Sequence, residues 1–510
     1  MTDPTEDLAE RAQKVPKEAG NNLKREIGLF DAVMFVAGSM VGSGIFMVSA
    51  DMGRLLGSPS LLLSAWIVPG LFVLCAALAF GELAAMYPKT GGMYVYIKEA
   101  FSPLWGFLQG WTMFTVIQSG SITADAIAFA RWVGVFVPVI SDTNYIVHPI
   151  HISSGYAVSL STVQALGVGC ILLLAWINSK GVKFGKIMQS AFTTINLCTM
   201  LGLVALSLLL GWSKGSGMLN FRHFWEQVPT VTEVLPGVTV FTSRLALYGI
   251  FLLSLRGSYF AYDSWANITM IADEVRNPAH TIPVSLVAGT SLVGLLYLLC
   301  NLAYLVVLPF PQIQSAPYDR VAAAAMDVLA PGVGSSLVAL GIAITTFGCL
   351  NALTLSGSRL YWQMARDGLF FPVAARLNKN SVPGWALAIQ AIWAILLTLL
   401  RTYNPETKRY GDLYTDLLSY VTLATMFFEM LAILAVIRLR RTRPNQPRPY
   451  KVPGYPWVPL CFVAGAVGIM VALLVFSPAT SWPSVLIVMA GALVYWLRGR
   501  MGGWAPRPTQ

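Results

Sequence analysis

The chain is divided into long apolar blocks of roughly 20 residues, the length an α-helix needs to cross a hydrocarbon core of about 30 Å. Twelve such segments are read near 28–56, 60–86, 102–130, 157–178, 186–211, 244–272, 282–308, 334–364, 382–400, 412–437, 456–477 and 480–498. No other feature constrains the fold as much. In lipid every backbone N–H and C=O must find a partner within protein, which leaves helices or closed barrels as spanning structures. Composition agrees: of 510 residues 56% are hydrophobic and only 11% charged, too few to cover a soluble surface of this size. A large soluble enzyme with a rich core would not gather its apolar residues in blocks. The expected class is all-α, a polytopic membrane protein with 12 transmembrane helices.

The basic residues orient the bundle, because Lys and Arg collect in cytoplasmic loops. With the N-terminus inside, 24 of the 34 fall in the tails and inner loops, nine in outer loops or at outer helix ends, and Arg256 is left within a span. Both termini are therefore expected in the cytoplasm, with the chain in a plasma or inner cell membrane. The net charge of +10 is concentrated in short inner loops such as "RLRRTRPNQPRPYK". Orientation and attraction to anionic lipid account for it without a nucleic-acid partner. The first 27 residues lack the short apolar core of a cleavable signal. Six cysteines all fall within spans and read as small core residues, and the four histidines show no metal spacing. No cofactor or metal is expected.

The first span reads "VAGSMVGSGIFMVSA", Val36 to Ala50, with Gly38, Ser39, Gly42, Ser43 and Gly44 at mid-depth. Isolated small residues let helices pack closely. Their density here favours a break, which frees backbone groups that are tolerable at this depth only beside a cavity or ligand. The N–H groups heading the second half-helix then form a carboxylate site. The sixth span, "LRGSYFAYDSWANITMIADEVRNP", carries Gly257, Ser258, an aromatic cluster and an acid, Asp263. Breaks at matching places in two five-helix groups of opposite orientation are the mark of an inverted-repeat transporter. The resulting organisation is a tail (1–27), a first five-helix repeat (28–211), an extracellular loop (212–243), a second repeat (244–441), a cytoplasmic loop (442–455), helices 11 and 12 (456–498), and a C-terminal tail (499–510).

"GSMVGSGIF", "GELAAMYPKTGGMYVYIKEAF", "FAYDSWANITMIADEVRNPAHTIP", "SGSRLYWQMARDGLF" and "RPYKVPGYPWVP" resemble signature segments of the amino acid–polyamine–organocation (APC) superfamily transporters. They are most similar to the L-type and prokaryotic amino acid exchanger branch. The resemblance implies a LeuT-like 5+5 inverted repeat with discontinuous helices 1 and 6, alternating access, and a small amino acid as substrate. It further implies that Ser43 and Gly44, with Gly42 beside them, present N–H groups to the substrate carboxylate, with Met40 bordering the same pocket. Carbonyls near Phe260, Ala261 and Tyr262 would accept from the α-ammonium, and the Phe260 ring would gate the site. In helix five, Asn196 stands where several members carry a lysine, so the coupling mode is open; an amide used only in helix packing is the plainer reading.

Ionisable groups at membrane depth are functional candidates by default. Asp263 either caps the second half of helix six or meets an amine or a proton. Arg256, one turn before Phe260, either pairs with an intramembrane acid such as Asp125 or Glu429 or anchors a substrate carboxylate. Asp273, Glu274 and Arg276 are candidates for a cytoplasmic gate with inner-loop bases, Glu82 reads as the plain end of helix two, and Gly348, Cys349 and Asn351 are candidate contacts on helix eight. An intramembrane enzyme would need a nucleophile–base set or metal ligands at depth, and the spans supply neither. Exchange or facilitated uptake of amino acids is the leading expectation, with a proton-coupled symporter as the alternative and a substrate-sensing receptor as the rival from another class. Whether a partner subunit exists is left open.

Overall fold

The computed structural model describes residues 25–153, 155–214, 217–226, 244–404, 409–410, 413–476 and 478–500. The tail before residue 25, most of the loop between the fifth and sixth apolar blocks, and the tail after residue 500 lie outside them.

The first block is two helices, α1 (Leu29–Met40) and α2 (Gly44–Leu56), meeting at 40° across a three-residue break. Then come α3 (Pro59–Met86), a short α4 (Met93–Ala100), and α5 (Pro103–Thr112), which continues through a π-turn at Met113–Ile117 into α6 (Gln118–Val133). After a hairpin follow α7 (Thr162–Ser179), α8 (Val182–Lys214) and the short α9 (Met218–Arg222). The second half opens with α10 (Arg244–Ala261), a break, and a 3₁₀ run at Trp265–Glu274. It continues through α11 (Pro278–Val307), α12 (Phe310–Gln314), α13 (Val321–Leu329), α14 (Gly334–Arg366), α15 (Gly384–Leu399), α16 (Leu413–Thr442), α17 (Trp457–Phe476) and α18 (Pro478–Arg500).

Among the described residues nine helices are long and apolar enough to cross a membrane, ten if the bent α1–α2 pair counts as one span. The apolar block at 382–400 carries a helix of 16 residues, α15, that falls short of that length. Large apolar side chains such as Leu71, Leu172, Leu209, Trp212 and Leu295 stand exposed on the flanks. In water so much exposed apolar surface would be an aggregation site; against lipid tails it is solvated. The molecule is a multi-pass membrane protein.

Three expectations need correction. The chain is not wholly helical: β1 (Tyr145–Ser153), β2 (Tyr156–Ser161), β3 (Leu400–Asn404) and β4 (Arg409–Tyr410) form an antiparallel sheet in that order. It joins two connections far apart in sequence, so no local period announces it. It also moves the start of the fourth helix from 157 to Thr162. Ser161 Oγ accepts from Gln164 N–H while Gln164 Oε1 accepts from Ser161 N–H at 2.7 Å, a capping box written in the sequence as "STVQ". Finally, the cysteines are not all core residues, since Cys198 and Cys461 are exposed.

Glu82 is more than a helix end. It is fully buried, takes two hydrogen bonds from Arg440 at 2.9 and 2.6 Å, and accepts from Val452 N–H at 2.8 Å, with Arg448 at 3.4 Å. The segment after α16 is thereby clamped to α3. Glu82→Ala strands the Arg440 guanidinium and a buried N–H, while Arg448 keeps its backbone carbonyl acceptors; it is expected to cost about 3 kcal/mol and to open residues 442–456 to protease, as thermal unfolding and limited proteolysis would report. Proteolysis matching wild type would mean that the loop docks without the carboxylate.

Candidate functional site

The break in the first block follows from its residues. Val41 adopts an extended conformation (φ −80°, ψ 93°) and ends α1, and Ser43 caps α2. Val41 N–H donates to Ala37 O and Gly42 N–H to Met40 O, so Gly42 keeps its donor within the chain. Gly44 and Ile45, as the first residues of α2, have no intrahelical acceptor for theirs. A donor pole thus stands at mid-helix, at the positive end of the α2 dipole.

The second break lies directly beside the first. α10 ends at Ala261, and Ser264 sits in the left-handed region (φ 70°), where a non-glycine residue costs about 1 kcal/mol or more. Ser39 Oγ, donating to Ser264 O at 3.2 Å, helps hold it there. A β-carbon on Gly44 would stand 2.8 Å from that of Ala261, so only glycine permits this approach of α2 to α10. The Tyr297 hydroxyl of α11 lies 2.9 Å from both Met40 O and Ala261 O, sharing its proton between the two broken helices. Tyr297→Phe removes that bridge. Losing a buried hydrogen bond of about 1–2 kcal/mol predicts transport roughly tenfold lower with the fold intact, measurable as label uptake beside a thermal unfolding curve; unchanged uptake would show that the two breaks hold together without it.

Of the carbonyls assigned to an ammonium, Phe260 O already accepts from Asp263 N–H at 3.0 Å and Ala261 O from Tyr297. A carbonyl oxygen carries two lone pairs and can accept from two donors. Asp263 is half-buried beyond the second break, where its N–H is turned back onto Phe260 O. The Phe260 ring is partly buried against the main core.

Arg256 does not meet Asp125 or Glu429. It reaches Asp51 on α2 at 3.4 Å, and Asp51 also faces Arg54, which pairs with Asp319 at 2.7 Å. The reason is direction: Arg256 follows α10 toward the end of the bundle where α2 finishes, away from the breaks. Glu429 instead accepts the Tyr259 hydroxyl. At the opposite end, Glu274 pairs with Arg359 of α14 at 2.9 Å, both fully buried, rather than with a loop base. Its carbonyl accepts from Glu26 and Ile27 N–H, while Arg276 N–H donates to Ile27 O and Asp273 exchanges bonds with Thr90.

Asn196 donates to Val41 O at 3.3 Å, so it touches the first break rather than merely packing helices. Of the residues considered on α14, Cys349 points its thiol at Ser39 O at 3.2 Å, whereas Asn351 bonds Asn178 and Gln189, and Gly348 packs on Phe192 away from the break. Sequence reasoning passed over Asp125 as a site residue: it lies on α6, 95% buried, with Oδ1 3.5 Å from Ser43 Oγ. Its signal was available, as an acid within an apolar helix. Tyr297 had none, and Ser39 was marked only as one of the small residues of the first break. Among the described residues no cluster of metal-ligating side chains occurs.

Two facing helix breaks with donors at one pole and acceptors at the other suit a small zwitterion. Residues 27–503 match the family model described as amino acid permease. The chain is 28% identical to the serine/threonine exchanger SteT of Bacillus subtilis, over 93% of this chain and 97% of that protein. It is likewise 28% identical to the b(0,+)-type amino acid transporter 1 of Mus musculus (95% and 90% covered) and to the large neutral amino acids transporter small subunit 2 of Homo sapiens (94% and 81%). On this match across nearly its whole length, the chain belongs to the amino acid permease family of the APC superfamily.

Proposed function

We propose that the protein is a secondary-active amino acid transporter, an exchanger or facilitator working by alternating access, that holds its substrate between the two broken helices. The carboxylate sits at Ser43, Gly44 and Ile45. The α-ammonium meets the carbonyl oxygens around Phe260, Ala261 and Tyr262, and the Phe260 ring covers the substrate. Met40 and Gly42 shape the wall. Twelve crossings in two inverted five-helix repeats, both termini cytoplasmic, and a cell-membrane location complete this reading. The observation that carries it is the contact between the two breaks, bridged by Tyr297 and Ser39. Such an arrangement grips a zwitterion through peptide dipoles without burying a full counter-charge.

The named relatives direct the first trials to serine, threonine and large neutral amino acids. The test is counterflow in proteoliposomes: a labelled amino acid should enter faster when vesicles are preloaded with unlabelled substrate, with and without sodium. Binding without any counterflow would point to a sensor on a transporter scaffold and overturn the proposal.

A further inference from the structure

Asp125 is the buried charge for which the site above gives no role. Its carboxylate stands 3.5 Å from Ser43 Oγ, and a β-carbon on Gly42 would lie 3.4 Å from both Asp125 Oδ1 and the Cys349 sulfur. It therefore occupies the head of α2, where the open N–H groups and the dipole would receive a substrate carboxylate. Two ionised carboxylates cannot share so small a buried space: like charges a few ångströms apart cost several kcal/mol there.

Among the described residues none supplies a compensating cation. Arg256 is directed to Asp51, and Asn196, on the same break, is neutral. Asn196 Oδ1 is itself buried with no hydrogen-bond partner among the described residues. Asn196, the side chain that reaches the first break, thus brings no positive charge to it, and a proton on Asp125 is the smallest thing that removes the carboxylate's charge.

We propose that Asp125 is a proton-coupling residue: the substrate carboxylate binds at the head of α2 only when Asp125 is protonated, so each loaded passage carries one proton. This rests on the reading that residues 43–45 receive the carboxylate. The proton comes from water on the loading side, resides on a carboxyl oxygen of Asp125, and returns to water on the other side after the substrate leaves; no other bond is made or broken. Exchange of one substrate for another then moves protons both ways equally. Net uptake is proton symport.

Among the described residues the polar and titratable groups around Asp125 include no cation. They are Ser43 at the head of α2, the Cys349 thiol of α14, the Tyr297 phenol of α11 and the Asp263 carboxyl beyond the second break. Cys170 of α7 packs on Ile122 and Ala126 of the same helix, Thr123 donates to Ala394 O of α15, and Glu429 of α16 takes the Tyr259 hydroxyl. The charged members of this set are acids, so none of them balances the Asp125 carboxylate.

The test measures counterflow affinity in proteoliposomes over about pH 5 to 8, and separately the internal pH of vesicles carrying a trapped dye. In the wild type the apparent affinity should fall by up to about tenfold per pH unit above the titration of Asp125, the slope that one linked proton dictates. Adding substrate outside should acidify the lumen. In Asp125→Asn the apparent affinity, whatever its absolute value, should no longer vary with pH, whereas Asp263→Asn should keep the slope. If Asp125→Asn does not fold, the wild-type acidification decides alone. Active counterflow with flat pH dependence and no acidification would overturn the assignment, as would a slope that survives in Asp125→Asn. Absence of counterflow at every pH is a different result: it removes the transport reading itself, and this assignment with it.

Discussion

Glutamine in place of Glu274 is expected to lower the stability of the protein by about 3–5 kcal/mol, the usual consequence of removing one charge from a buried pair. Glu274 and Arg359 are both fully buried and meet through a single bond, Nε to Oε1 at 2.9 Å. The second oxygen of Glu274 and Nη2 of Arg359 have no partner among the described residues. The pair is therefore poorly satisfied, and the guanidinium left behind would keep only Leu355 O and Ser358 Oγ as acceptors. Thermal unfolding in detergent measures the effect. The double variant Glu274→Leu with Arg359→Met should recover most of the loss, because two apolar groups carry no desolvation penalty. The same pair joins the end of the second broken block to α14, and the Glu274 carbonyl holds the segment at Glu26 and Ile27. Transport should consequently stay depressed in the double variant even where stability returns. If Glu274→Gln unfolds with the wild type, the pair does not hold this end of the bundle shut.

Adding side-chain volume at Gly44 should abolish most transport while leaving the protein folded. A β-carbon there would stand 2.8 Å from the Ala261 β-carbon and 3.1 Å from its α-carbon. Backbone cannot swing aside as a flexible side chain can. Overpacking of this kind costs about 1–3 kcal/mol, roughly ten- to a hundredfold in a binding constant. Gly44→Ala should lie near the lower end of that range and Gly44→Val at or beyond the upper. Ala261→Gly removes the nearer colliding atom and should partly rescue Gly44→Ala in counterflow. Gly53→Ala is the control, since its β-carbon would meet Gln314 at an ordinary 3.5 Å. Equal losses at both glycines, or no rescue by Ala261→Gly, would mean that close approach of the two broken helices is not what transport requires.

Much of this was legible without coordinates. The break at residues 41–43 was foreshadowed by the glycines and serines of "GSMVGSG", because local backbone preference and freed hydrogen bonds are properties of a short stretch. The break after Ala261 was foreshadowed less directly, through Gly257, Ser258 and an acid in an apolar run. What eluded the sequence was partnership. Depth along the helix offers Arg256 an acid such as Asp125 or Glu429, or a substrate carboxylate, yet its direction along α10 carries it to Asp51. Glu274 was assigned to loop bases, yet a buried arginine of α14 takes it. Glu82 looked like a helix end and proved to be the anchor of a loop more than 350 residues away.

The sequence by itself determined that this chain crosses a membrane many times and that two crossings are interrupted. Block length, charge placement and small-residue density are local quantities, and the cost of an unsatisfied peptide group in lipid makes them decisive. Only the tertiary structure decided that the interruptions touch, that Tyr297 and Ser39 join them, that distant connections pair as a sheet, and that Asp125 stands where a carboxylate would bind. Each of those is a distance between residues tens or hundreds of positions apart, and side-chain direction and packing set such distances where no periodicity records them.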